Sequence, residues 1–147
     1  MFGFFKRRLL REMEGYVAAI QLSVYGKLKR SFEEQHGEKA GRRLAAAVVN
    51  KLFGKAPTHT ESELALAEQL ASEIMRSDEE VRYAASMSAR AMIVTEFHAK
   101  GSDAMWRHVN TIEWIKQFGE LPAEPPSPKL IKELAGTLYR KYASAQE

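Results

Sequence analysis

The stretch that most constrains the fold is Asp78 to Lys100, DEEVRYAASMSARAMIVTEFHAK, because its apolar and small residues fill far more than one side of a helix. At about 100° per residue, Val81, Ala84, Ala85, Met87, Ser88, Ala91, Met92, Val94, Thr95 and Ala99 spread over an arc of roughly 200°, wider than the stripe of a surface helix. Such a helix has to be covered on more than one side and is expected, buried, at the centre of the molecule. Its charges, Arg82, Arg90, Glu96 and Lys100, are expected on the remaining side, with Glu96 and Lys100 in the favourable i,i+4 order.

The rest of the chain reads as helices that supply the cover. Leu10, Met13, Val17, Ile20, Val24 and Leu28 recur at alternating spacings of three and four, an a/d seam on one long first helix that stops at His36-Gly37. Gly15 and Gly26 inside it predict close packing or a bend. A second helix, 38–53, presents Leu44, Val48, Val49 and Leu52 on one face, and Gly54 ends it. Thr60 and Glu63 have the spacing of a capping box, as do Thr58 and Glu61, and open a third helix. A fifth helix is predicted over 104–118. After the Pro-rich segment Leu121–Pro128, a last one starts with Ser127 as N-cap and Pro128 at its first position and runs over 128–145. No period-two alternation is present, so the reading is all-α: a compact irregular bundle of about six helices, 1–147 forming one domain. The last helix would fit its own chain or a second copy.

Composition removes several functions. There is no cysteine, which excludes disulfides, thiol catalysis and cysteine-bound metal and suits a reducing compartment. The longest uncharged apolar run, Leu44 to Val49, is far short of the roughly 18–20 residues that span a bilayer, and the start MFGFFKRRLLRE lacks the apolar core and small-residue cleavage site of a secretory signal. No phosphate loop, HExxH or GxSxG occurs. Glu33 and His36 form a Glu-x-x-His, but the second such motif that a di-iron bundle requires is missing. No cofactor is implied.

Charge is uneven along the chain. Met1 to Ala56 carries twelve Lys/Arg against five Asp/Glu, a net +7, and Pro57 to Glu147 carries ten against fourteen, a net −4. Thr60 to Glu80 contains seven acids and only Arg76 as a base, so the two regions would neutralise one another if they met.

Three groups of residues are candidates for function. Phe2, Phe4 and Phe5, followed by Lys6, Arg7, Arg8 and Arg11, make an aromatic tip with a cationic collar, suited to partner contact, to a membrane surface, or to capping the core. Arg42, Arg43, Lys51 and Lys55 are phosphate-binding candidates. His98 and His108, on the apolar sides of helices joined by the Gly101 turn, would be metal ligands, a haem ligand or an acid/base pair if the hairpin brought them together. Core histidines satisfied by a nearby polar group are far commoner, and no buried carboxylate that would complete a site stands out. The leading expectation is a cytoplasmic, self-associating helical interaction module, a homodimer, without enzymatic activity. Membrane association through the tip, at the inner face of a membrane, ranks second, and nucleic-acid binding through the first two helices ranks below that.

Overall fold

The computed structural model describes the backbone of residues 2–55 and 59–142 and the side chains of those spans from Phe4 onward. Among the described residues there are six α-helices and no strand: α1 (Phe2–His36), α2 (Glu38–Leu52), α3 (Glu61–Ser77), α4 (Glu79–Lys100), α5 (Trp106–Ile115) and α6 (Pro128–Tyr142). The protein is an all-α bundle. Thr58 of the second capping-box pair and the last residues of the predicted sixth helix lie outside the described residues.

The 35 residues of α1 extend roughly 50 Å. Leu10, Met13, Val17, Ile20, Val24 and Leu28 are all buried, and Phe32 continues the seam by one more turn. Each such side chain contributes roughly 1.5–3 kcal/mol when fully removed from water. α1 packs against α2, α6 and α4; α4 in turn touches α3, α5 and α6. Ala84 to Ala89 are buried without interruption, so this part of α4 is covered around its whole circumference, and the small side chains let its neighbours approach closely. The two helices run antiparallel: Lys27 of α1 lies against Asp78 and Glu80 at the start of α4, while Lys6 and Leu9 share a crevice with Val94, Thr95 and His98 near its end.

Helix ends follow from local chemistry. Gly37, Gly54 and Gly101 have φ of 88°, 68° and 87°, the region that favours glycine, and each stands where one element gives way to the next. Thr60 and Glu63 form the reciprocal capping box, Asp78 accepts from the Val81 N–H at 3.1 Å, and Ser127 from the Leu130 N–H at 3.2 Å. The predicted fifth helix is not uniform. Only Trp106–Ile115 is α-helical, with tighter 3-10 turns at Ser102–Met105 and Lys116–Phe118, the usual way of closing a short helix against its flanking loops. The Pro-rich loop is tied to α4 by Arg90, which donates to the carbonyls of Pro122 at 3.4 Å and Ala123 at 3.3 Å.

α6 docks on its own chain. Ile131, Ala135 and Leu138 are buried, and its last turn reaches Glu80 of α4. Lys141 donates to Glu80 Oε2 at 2.8 Å, the Tyr142 hydroxyl donates to Oε1, and Lys27 of α1 donates to Oε1 at 3.0 Å while holding Asp78 at 2.8 Å. Burial alone would push the Glu80 carboxyl up, but the hydrogen bonds from Lys141, Tyr142 and Lys27 together pull it down to about 2. One carboxylate thus joins α1, α4 and α6.

Close backbone approach occurs where it was not expected. A Cβ on Gly41 would lie 2.5 Å from the Glu33 Cα and backbone N, so α2 crosses α1 almost backbone to backbone. Around Gly15 there is nothing within 4 Å, and no packing reason for that glycine.

Two measurements check this description. Gly15→Ala should stabilise the fold by about 0.5–1 kcal/mol and Gly41→Ala destabilise it by about 1–3 kcal/mol in urea unfolding. Glu80→Gln should cost about 1 kcal/mol near neutral pH. Because the folded carboxyl is depressed from 4.5 to about 2, its contribution is complete above 4.5 and lost as pH falls toward 2. An acid titration of stability should therefore narrow the gap between wild type and variant as pH falls from 4.5 through 2, and a gap that is as wide at pH 2 as at pH 7 would contradict the clasp.

Candidate functional site

Phe4 and Phe5 do not cap the core. They are 62% and 60% exposed, with rings edge to face at 6.0 Å, and Leu9 one turn on is exposed as well. The Phe2 side chain lies outside the described residues. Lys6, Arg7, Arg8 and Arg11 are all exposed, and the first turn of α1 contains no acid. Arg8 meets Glu12 at 3.4 Å in an exposed i,i+4 pair; Lys6, Arg7 and Arg11 meet no carboxylate among the described residues. Given the antiparallel register, this tip reaches the level at which α4 ends, where Phe97 and Trp106 are also exposed.

The remaining basic residues of α1 and α2 are differently placed. Arg42 holds Glu33 at 3.0 Å and Glu38 at 2.7 Å; Arg43 grips Glu63 with two bonds of 2.9 and 3.1 Å; Lys51 lies 4.0 Å from Glu68 and 4.8 Å from the centre of the Trp114 ring. With Lys27 on Asp78 and Glu80, the basic first third and the acidic Thr60–Glu80 segment do face each other. The Arg43 hydrogen bond, helped by Thr60, holds the Glu63 carboxyl at about 2. Of the four phosphate-binding candidates only Lys55 has no carboxylate partner among the described residues. Glu33, of the Glu-x-x-His, serves as an anchor between α1 and α2.

The two histidines occupy different places. His98 is exposed, edge-on to Phe97 at 5.5 Å, and lines a crevice of about 140 Å³ with Lys6 and Leu9. His108 is 5% exposed, and its Nε2 lies 3.3 Å from Oε2 of Glu96, itself 6% exposed. Glu96 therefore is not on a solvent face with Lys100: α5 covers it, and Arg107 Nη2 completes a triangle at 3.3 Å from Glu96 Oε1 and 3.2 Å from His108 Nε2. A neutral imidazole can either donate from Nε2 to Glu96 or accept there from Arg107, so the proton on that one atom decides which neighbour it serves. Among the described residues no three His, Cys, Asp or Glu side chains are grouped to hold a metal.

Helical periodicity assigned His108 to a covered face but carried no sign of its partner. Glu96 lies one turn beyond Met92, at the margin of the apolar arc, and a wheel of α4 alone cannot tell whether a margin is covered. No protein-family model, no curated protein and no solved structure matches the chain.

Burial, the largest influence on His108, lowers its affinity for a proton, against the pull of Glu96 and with that of Arg107. A histidine depressed in the folded state is protonated first in the unfolded chain, so stability is highest above about pH 6.5 and falls as pH drops below it. The unfolding midpoint should decline between pH 7.5 and 5.5, and His108→Gln should flatten that decline. An equal slope in wild type and variant would show that His108 is not held in this way.

Proposed function

We propose that the protein is a peripheral binding module that docks by the aromatic, cationic end of its bundle on an anionic membrane surface, at the inner face of a membrane. The observation that carries this reading is the pair of exposed phenylalanines at the start of α1, one turn from basic residues that lack acidic partners. Farther along α1 and α2, Lys27, Lys29, Arg42, Arg43 and Lys51 pair with the bundle's own acids, although Arg30 and Lys39 do not; at the tip, among the described residues, only Arg8 is paired, with Glu12. Each ring that leaves water for the acyl boundary contributes roughly 1.5–3 kcal/mol, and each Lys or Arg near an anionic surface about 1 kcal/mol. Neither set would anchor the chain firmly alone, but together they give the two signals that stable peripheral binding takes. Among the described residues no helix is long and apolar enough to cross a membrane, which fits docking on the surface.

Self-association is the second reading, favoured by Phe97 and Trp106 at the same level of the bundle. An isologous dimer through the tip would set Arg7 and Arg11 of one copy against those of the other, like charges in one patch, and so ranks below an anionic partner. Nucleic-acid binding through Arg42, Arg43 and Lys51 would first have to release their carboxylates.

Vesicle flotation separates these readings. Binding should rise with anionic lipid, weaken with salt, and drop roughly ten- to hundredfold for each of Phe4→Ser and Phe5→Ser. Should the serine variants leave flotation unchanged but turn a dimer into a monomer by light scattering, self-association would replace membrane docking.

A further inference from the structure

Between α1, the last turns of α4 and the Pro-rich loop lies a crevice of about 140 Å³, and it begins where the aromatic tip ends, with Lys6 and Leu9 in its lining. Leu9, Met13, Val94, Pro125, Pro126 and Pro128 make it mostly apolar, and the three prolines have no N–H to offer. The one hydroxyl in the lining, of Thr95, is spent on the Ala91 carbonyl at 2.8 Å. Water would find few partners there, so the space suits hydrocarbon. At about 30 Å³ for a group the size of a water molecule, it has room for roughly four or five, which is part of a ligand and not a whole small molecule.

The groups left to meet a polar end are donors. Lys6 carries an ammonium and His98 a ring N–H, and neither forms a hydrogen bond or ion pair among the described residues. Both are exposed while Met13 is buried, so the donors stand at the mouth and the apolar side chains lie inward. No acid lines the crevice, whereas four larger cavities each include at least one glutamate: Glu79, Glu96, Glu68 or Glu63. A cationic mouth over an apolar floor selects an anion that carries a hydrocarbon chain. Free phosphate would leave the floor empty, and a neutral chain would leave the donors unused.

Building on the docking reading, we infer that this crevice holds one anionic lipid of the membrane on which the tip docks, with its phosphate at Lys6 and His98 and the first carbons of one chain against Leu9, Val94 and the prolines.

The full chain, titrated in amide-resolved NMR with dihexanoylphosphatidylglycerol, dihexanoylphosphatidylcholine and inorganic phosphate, the lipids kept below micelle formation, tests this. The anionic lipid should give saturable shifts at Lys6, Val94 and His98. The zwitterionic lipid should bind about fivefold more weakly, the weight of one lysine contact, and phosphate at least about tenfold more weakly, since each buried carbon contributes about fourfold. Lys6→Gln should narrow the difference between the two lipids. Val94→Phe, which fills the crevice at a half-buried position, should lose the short-chain lipid while still floating with vesicles; if it unfolds, Leu9→Trp at the exposed rim serves in its place. Equal affinity for both lipids, phosphate bound as tightly as lipid, or unchanged binding in the filled variant would each overturn the assignment. Flotation by a chain that binds no short-chain lipid would overturn the crevice and spare the docking reading, and lipid bound at the crevice by a chain that does not float would do the reverse.

Discussion

The antiparallel pairing of α1 and α4 is the contact on which the other elements depend. α1 brings one apolar seam, and α4 brings small side chains that leave room for neighbours on its other sides. Their register is set where Lys27 meets Asp78 and Glu80, and the same Glu80 receives Lys141 and Tyr142 from the last turn of α6. An ion pair on an open surface contributes little, but a carboxylate with three donors from two other helices resists being left alone, because any one helix that departs breaks only part of its support. The clasp therefore also positions the end of α6 on its own chain.

Periodicity made most of this architecture readable. The seam of α1 follows from the three- and four-residue spacings between Leu10 and Leu28, and the helix limits follow from Gly37, Thr60, Asp78 and Ser127, whose conformations or side chains act within a few residues. Such signals belong to one helix at a time. Contacts between helices leave no comparable trace: Gly15 and Gly41 look alike in a sequence, yet one faces open space and at the other a Cβ would come within 2.5 Å of the backbone of α1. The 3-10 turns at both ends of α5 were hidden for a related reason, since the choice between two helix types depends on how the loops are held.

The candidate sites divide in the same way. The aromatic and basic run at the start of the chain is contiguous and was legible as a patch, although only the fold decides that Phe4 and Phe5 stay outside the core. The Glu96, Arg107 and His108 triangle joins residues from two helices and was assigned piecemeal, Glu96 to solvent and His108 to a search for His98. A glutamate at the edge of an apolar arc is read as exposed because burying a charge is costly, and that rule gives way when a neighbouring helix supplies a guanidinium and an imidazole.

The distribution of ion pairs also bears on what the surface is for. A chain selected only to fold gains from placing each base near an acid, and α1 and α2 follow that pattern through Lys27, Arg42, Arg43 and Lys51. Arg30 and Lys39 are isolated exceptions, whereas at the first turns of α1 three neighbouring bases, Lys6, Arg7 and Arg11, meet no carboxylate among the described residues. There the neighbours of positive charge are largely exposed aromatic rings, which add little to the stability of the monomer. Concentrated like charge opposes association between copies of the chain, while exposed rings favour association with something apolar. On the reading we propose, a negatively charged surface with an apolar interior beneath it would meet both demands.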